Sequence, residues 1–343
     1  MCCFWYTYMQ IVRQDRVLME SADTCVIILN WNGLRHLETC LRALERQSYK
    51  RFRTILVDNG SKDGSREYVQ KCFPGVEIIS LLRNRGFAEG NNVGIREALA
   101  DKGVAYIAVL NNDTEADAQW LYELRATASK DERIGAVSSK MLRFDERTVL
   151  DSAGDFFKAG TLKVVTRGFG REDKGQYDRE EECFSARAGA ALYRRSMLED
   201  VELDGDFFDS HFFAYVEDTD LSVRARLKGW KIMYAPKAIV YHKVAATTST
   251  ISYAFRRYRS GRNRLFLAIK NYPLSLWLGV FRGTASVEKG YTLGIIGSIA
   301  TYIRIACSLV CSLPRLVRQR RAIQQSRAVS AAAIGSWRER FSI

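Results

Sequence analysis

From Cys25 to Leu110 short apolar runs alternate with amphipathic stretches, and most of the runs stop at a cluster of Asn, Asp and Gly. That rhythm is the mark of strand–helix–strand units in a parallel sheet. Cys25–Leu29 reads as a buried strand, and Leu34–Arg46 as a helix whose Leu37, Leu41 and Leu44 recur at helical spacing. Strands follow at 53–57, 76–81 and 106–110, with helices at 62–71 and 89–99 between them. In open α/β sheets, ligands sit at the carboxyl ends of the strands. The polar clusters therefore converge on one edge.

Beyond about residue 140 the sequence becomes β-rich and Gly-punctuated, including 161–166, and an acidic stretch at 171–182 has the composition of a mobile loop able to close over a site. Alternation resumes at 184–193. A helix is expected at 217–228, followed by two short strands at 231–234 and 238–242.

Charge divides the chain unevenly. The 343 residues carry 52 Lys and Arg against 39 Asp and Glu, and residues 251–343 alone hold 16 basic residues against Glu288 and Glu339. The body is near neutral and the tail strongly basic, which disfavours a uniformly basic nucleic-acid binder. With 47% hydrophobic and 27% charged residues, the chain has ample material for a core. Its 8 cysteines, with no CxxC pair, suit a reducing compartment better than a disulfide or zinc scaffold. Residues 1–10 lack the basic lead and aliphatic run of a signal peptide, so 1–22 is taken as an extension that is disordered or not native, with Met19 an alternative start.

In the tail, Arg256, Arg257, Arg259, Arg262 and Arg264 interleave with Tyr253, Phe255, Tyr258, Leu265 and Phe266, the pattern of a basic amphipathic helix. Residues 291–313 are mostly apolar but contain Arg304, so a helix lying in the membrane interface is favoured over one that spans it.

Several segments could carry chemistry. Asp58 directly follows a buried strand and can accept from ribose or base, although Asp is also a common turn former. The segment from Arg83 to Gly94, RNRGFAEGNNVG, can bring backbone N–H groups to an anionic ligand, yet it lacks the Lys of a P-loop; a plain helix cap is the alternative. Asn111, Asn112 and Asp113 end a strand, where one carboxylate can help seat a Mg or Mn diphosphate, or merely form a turn. Asp218, at the start of the helix from Glu217, can act as a general base; the bland reading of this acidic cluster is a match to the helix dipole. Asp220 and Arg224 stand four apart as a candidate structural pair, and His242 can complete a metal shell with Asp113.

Six segments in this order carry a resemblance: VIILNWNG from Val26, VDNGSKDGS from Val57, NRGFAEGNNVG from Asn84, LNNDT from Leu110, FFAYVEDTDLSVR from Phe212 and GWKIMYAPKAIVYH from Gly229. Over about 25–245 the chain resembles the family 2 glycosyltransferases of GT-A fold, in particular the rhamnosyltransferase-like branch that builds bacterial surface polysaccharides. The resemblance implies an α/β architecture with a mainly parallel sheet flanked by helices. It divides the chain into a catalytic domain at 23–248, with a nucleotide-binding half at 23–115 and an acceptor half at 116–248, and a basic helical tail at 249–343.

The same resemblance puts Asn30, Asn32 and Asp58 at the nucleotide, Asn84 and Gly86 near it, and Asn111 with Asp113 at the metal motif, with Asp218 as catalytic base; Asn112 is counted with the nucleotide-binding residues. One departure is that Asn111 stands where the first acidic residue of the metal motif is usual, which leaves the metal to Asp113 with help from His242. The expected activity is inverting transfer of rhamnose or a similar sugar from a dTDP- or UDP-sugar to a glycan or lipid-linked acceptor. The basic tail is expected to hold the protein peripherally or monotopically on anionic lipid at the cytoplasmic membrane face. No nucleic-acid partner is expected. The competing reading is a non-catalytic glycan- or nucleotide-binding module derived from a transferase.

Overall fold

A computed structural model describes residues 10–12, 22–159, 161, 163–244, 252–277 and 295–343. Its first half is built from Gln10–Val12 (β1), Thr24–Asn30 (β2), Leu34–Glu45 (α1), Phe52–Asp58 (β3), Ser65–Cys72 (α2), Val76–Ser80 (β4), Gly86–Ala100 (α3), Tyr106–Asn111 (β5), Thr114–Ala116 (β6) and Trp120–Ala128 (α4). The second half adds Ile134–Arg143 (β7), Leu150–Ser152 (β8), Asp155–Phe157 (β9), Val164–Thr166 (β10), Glu181–Glu182 (β11), Ala190–Arg194 (β12), Arg195–Val201 (α5), Glu217–Leu227 (α6), Lys231–His242 (β13) and Tyr253–Asn271 (α7). Among the described residues the tail also holds the α-helices Ile295–Ser326 and Ala331–Arg340.

The main sheet runs β1-β4-β3-β2-β5-β12-β7-β13-β11. Strands β4, β3, β2 and β5 are mutually parallel, as the buried apolar runs require. Successive residues of β2 serve opposite faces. Val26 and Ile28 join Leu37, Leu41, Leu56 and Trp120 in one core, while Cys25 and Ile27 join Ile55, Val93, Leu221 and Phe266 in the other. Helices α1, α2 and α4 therefore cover one face, and α3, α5, α6 and α7 the other.

Two antiparallel insertions shape the functional edge. Strand β12 lies between β5 and β7 with Ala190 opposite Leu110, so the turn Arg187–Gly189 sits at the carboxyl end of β5. Strand β6 pairs with β13 so that Thr114 faces His242. The segments read as strands at 231–234 and 238–242 form one strand, whose register slips between Ala235 and Ile239, around Pro236. A proline that lacks an N–H interrupts the ladder without ending it.

The helix expected from Lys62 starts at Ser65, because Gly64 is left-handed (φ 82°) and Asp63 accepts from Ser65 N and Leu34 N instead of joining the helix. The helix expected from Glu89 starts earlier, at Gly86. The acidic stretch at 171–182 is held rather than loose: Lys140, only 3% exposed, binds Asp173 and Asp178, Arg167 binds Glu181, and β11 pairs with β13. Composition suggested mobility there because the cations that tie it down lie elsewhere in the chain, Lys140 on β7 and Arg167 in the turn after β10.

The tail packs on the body. Trp337 and Phe341 join Phe157 and Phe184 in the core, and Lys270, fully buried, bridges Asp209 and Asp220. Asp220 also receives Arg224 Nε at 3.1 Å and Asn271 Nδ2 at 2.8 Å, so the expected Asp220–Arg224 pair is structural.

Candidate active site

The carboxyl edge of the sheet holds a continuous polar network. Asn30, buried at the end of β2, donates to Ser61 Oγ at 3.1 Å and lies 3.5 Å from Asp58 Oδ1, while its own Oδ1 accepts from Asn112 Nδ2 at 2.7 Å. Gly33 is required beside them: a Cβ there would stand 2.1 Å from Asn112 Nδ2 and 2.5 Å from Asn30 Oδ1. Asn32, left-handed at φ 49°, accepts from Lys62 N and directs its own N–H to Ser61 Oγ. Asn84 and Gly86 are gathered by Asn59, which donates to Asn84 Oδ1 and Gly86 O at 3.1 Å each and accepts from Arg85 N. Asn59 and Ser61 lay within the DNGS turn, but nothing in the sequence distinguished their anchoring role.

Asn111 ends β5, donates its backbone N–H to Gly189 O at 2.9 Å and accepts from Thr114 Oγ1. Two residues on, Asp113 faces His242, with Oδ1 3.4 Å from Nε2. The other ring nitrogen, Nδ1, lies 3.0 Å from Asp151 Oδ2. Burial pulls the His242 imidazole down, but the carboxylates of Asp113 and Asp151 outweigh it and hold the ring up at about 9. Asp151 was missed because only the pairing of β8 with β7 brings it across.

This donor set fits a divalent cation. Asp113 Oδ1 is buried without a hydrogen-bond partner of good geometry, and a ring whose Nδ1–H is engaged by Asp151 can offer the Nε2 lone pair once a cation displaces the proton that Asp113 and Asp151 otherwise hold on the ring. Among the described residues no cluster of three or more His, Cys, Asp or Glu is arranged to hold a metal by itself. Oxygens of a bound diphosphate and water would have to complete the shell.

Asp218 stands in the first turn of α6. Its Oδ1 accepts from Thr219 N at 2.7 Å and its Oδ2 from Ala188 N at 3.4 Å. Ala188 adjoins Gly189, which touches Asn111, so base candidate and metal motif share one rim. Burial raises the Asp218 carboxyl above the usual range, against hydrogen bonds from Thr219 and Ala188 and the charge of Arg187. Burial pushes Glu217 well up too, with Asp218 adding to the effect. Asp155 is raised by burial to about 6. Arg187 interacts electrostatically with Asp151, Asp155 and Asp218, so one guanidinium couples the metal side to the base side. No spacing in the sequence announced it.

The fold and this edge can be set beside known proteins. A model of the family "Glycosyl transferase family 2" matches residues 25–202, just over half of the chain. The chain is 26% identical over 240 residues to N-acetylglucosaminyl-diphospho-decaprenol L-rhamnosyltransferase of Mycobacterium tuberculosis, covering 65% of this chain and 76% of the relative. It is 23% identical over 250 residues to poly-beta-1,6-N-acetyl-D-glucosamine synthase of Staphylococcus aureus, covering 72% of this chain but only 56% of the synthase.

Solved structures that share the fold include GalNAc-T7 and S. aureus TarS. GalNAc-T7 with UDP, GalNAc and Mn2+ has a TM-score of 0.60 at 14% identity, over 79% of this chain and 52% of its own. S. aureus TarS has a TM-score of 0.56 at 17% identity, over 92% and 54%. With a GT-A-like sheet and the family match running from its first central strand through α5, the chain belongs to glycosyl transferase family 2 and is a glycosyltransferase of the hexosyl-transferring class.

Proposed function

We propose that the chain is an inverting transferase that takes a sugar, rhamnose or a similar hexose, from a dTDP- or UDP-linked donor and passes it to a hydroxyl of a glycan or lipid-linked acceptor. The carrying observation is the common rim that joins Asp218, through Ala188 and Gly189, to Asn111 and the Asp113–His242 pair. Asn30, Asn32, Asp58, Asn84, Gly86, Asn111 and Asn112 border the nucleotide in this reading. Asp113 and His242 hold Mg or Mn, which when bound offsets the negative charge of the diphosphate.

Asp218 accepts the proton of the acceptor hydroxyl as its oxygen bonds to the anomeric carbon. The bond from that carbon to the phosphate oxygen breaks, and the nucleoside diphosphate leaves with the electron pair. Attack from the face opposite the leaving group inverts the centre and needs one base. Burial pushes the Glu217 carboxyl well above its usual range, which favours Asp218 as the carboxylate of the two that ionises.

The acceptor class rests on the decaprenol-linked substrate in the name of the mycobacterial relative and on the tail. The helix from Ile299 to Ser326 is apolar and long enough to cross a membrane by length and composition. Its second half is docked, with Leu316 and Ile323 in the core and Arg315 on Asp209, while Ile303, Val310 and Leu313 are at least half exposed. A helix fixed to the body along one side and apolar on another suits the plane of an anionic membrane better than a span across it.

The test is a panel of nucleotide sugars with Mg or Mn, read by mass spectrometry for transfer to a polyprenyl-diphosphate-linked sugar. Transfer that collapses in Asp218→Asn supports the reading. Nucleotide binding without transfer, with Asp218→Asn indistinguishable from the parent, would make the chain a binding module.

A further inference from the structure

The segment that delivers Asp218 has an uncommon backbone. Phe213 (φ 66°, ψ −60°) is the centre of a γ-turn closed by Ala214 N on Phe212 O at 2.8 Å, and Tyr215 and Val216 both have φ 73°. Three bulky residues in the left-handed half of φ space are strained, so they need surroundings that over-determine them. None of the carbonyls from His211 to Tyr215 belongs to a strand ladder or an α-helix, and each buried one needs a donor from elsewhere.

Those donors come almost entirely from the tail. Asn263 Nδ2 faces three carbonyls at once: Phe212 O at 3.1 Å, Ala214 O at 3.0 Å and Tyr215 O at 2.7 Å. Its neighbour Arg262 reaches His211 O at 2.6 Å and Phe212 O at 3.3 Å, and clasps Asn263 Oδ1 through Nε and Nη2 at 3.0 and 2.8 Å, which fixes the amide. The remaining carbonyl, Phe213 O, accepts from Ala88 N of α3 at 3.1 Å. The same oxygen would lie 2.5 Å from a Cβ at Gly86, so the segment is pressed against the donor-side loop as well. Asn263 is fully buried, and its side-chain hydrogen bonds go to Arg262 and to the carbonyls of Phe212, Ala214 and Tyr215 rather than to Asp218 or the Asp113–His242 pair.

We propose that Asn263 is a positioning residue: from the first tail helix it holds Phe212–Tyr215 in the left-handed path that sets Asp218 at the rim. The proposal rests on Asp218 being the base. It makes α7 part of the catalytic apparatus rather than only a basic appendage.

The experiment compares the full chain with Asn263→Ala, Asn263→Asp and Leu267→Ala. Leu267 is buried on the same helix without bonding to the segment, so its variant reports loss of stability alone. Amide exchange across residues 212–220 and steady-state kinetics with the nucleotide sugar are read on each. In both Asn263 variants exchange is expected to quicken by about tenfold or more. The kcat should fall by about tenfold to a hundredfold, with donor KM unchanged. Leu267→Ala should lower the melting temperature while keeping exchange in that segment and kcat near the parent.

Unchanged exchange in the Asn263 variants overturns the proposal, and so does quickened exchange with parental kcat. A rise in donor KM in place of a fall in kcat also overturns it, as does equal loss of kcat in Leu267→Ala. A parent chain that transfers no sugar defeats the base assignment, and the exchange comparison then still reads whether Asn263 holds the segment.

Discussion

His242 turns its Nδ1 to Asp151 Oδ2 at 3.0 Å, so a carboxylate on β8 orients an imidazole at the end of β13. Such a partner fixes which ring nitrogen is free for a cation, and its loss typically weakens metal binding by about ten- to a hundredfold. Asp151→Asn is therefore expected to raise the Mn concentration for half-maximal activation by about that factor. Calorimetric Mn titration in the presence of a nucleoside diphosphate should show the same loss. An unchanged Mn titration would remove His242 from the metal site.

The raised Asp218 carboxyl gives a signed pH dependence. The base must be ionised, so kcat/KM rises with pH through its titration, at a pH above the ordinary carboxylate range because burial disfavours the charged form. Arg187 pulls the other way, and Arg187→Gln should move the acid limb to higher pH. Asp218→Asn should lower kcat by about 10²–10⁴-fold without abolishing nucleotide binding. A limb that stays in place in Arg187→Gln would mean that the guanidinium does not act on the base.

Gly33 tests the donor edge by volume alone. Its φ of −110° suits any residue, so the objection to a side chain is the collision with Asn112 and Asn30. Crowding of this kind costs about 1–3 kcal/mol. If Asn30 and Asn112 line the nucleotide, Gly33→Ala should raise donor KM by about tenfold and change kcat less. Equal loss of kcat with unchanged KM would place the nucleotide elsewhere.

The parallel half was legible because central strands such as β2 are apolar on both faces and stop at the polar residues that ligands use. Asp58 and Asn112 could be gathered from that rule alone, whereas Asn30 came with the family resemblance. Asp113 and His242 could be paired as candidate metal ligands from their side-chain chemistry, but no local pattern brings them together, since their meeting depends on the antiparallel return of β6 along β13. Arg187 and Asp151 were invisible for the same reason: insertion of β12 and the β7–β8 hairpin bring them to the rim, and neither leaves a local pattern. The basicity of the tail was read as a surface for lipid headgroups, yet Arg262, Arg315 and Arg320 are spent on protein carbonyls and Asp209.

Lys270 shows what that spending means for the fold. It is fully buried between Asp209 and Asp220, and Asp209 is held below the usual carboxylate range, burial being outweighed by Lys270 and Arg315. Removing one partner of a buried pair leaves an uncompensated charge, at a cost of about 3–5 kcal/mol. Lys270→Met should lower unfolding free energy by roughly that amount in urea. A loss below about 1 kcal/mol would mean that the pair is solvated.

Truncating the tail is consequently a poor test of membrane attachment, because it strips Lys270 from Asp209 and Asp220 and exposes the core around Trp337. Substitutions on the solvent side of the long helix separate anchoring from folding. Val310 is 72% exposed and Ile303 57%, so Ile303→Glu with Val310→Glu removes apolar area from the surface while leaving Arg315, Leu316 and Ile323 in place. If that face inserts at the headgroup boundary, two carboxylates facing anionic lipid add both desolvation and repulsion. Flotation with phosphatidylglycerol-containing liposomes should fall by about tenfold or more, with melting temperature and transfer to a soluble acceptor preserved. Undiminished flotation would move the anchor off this helix.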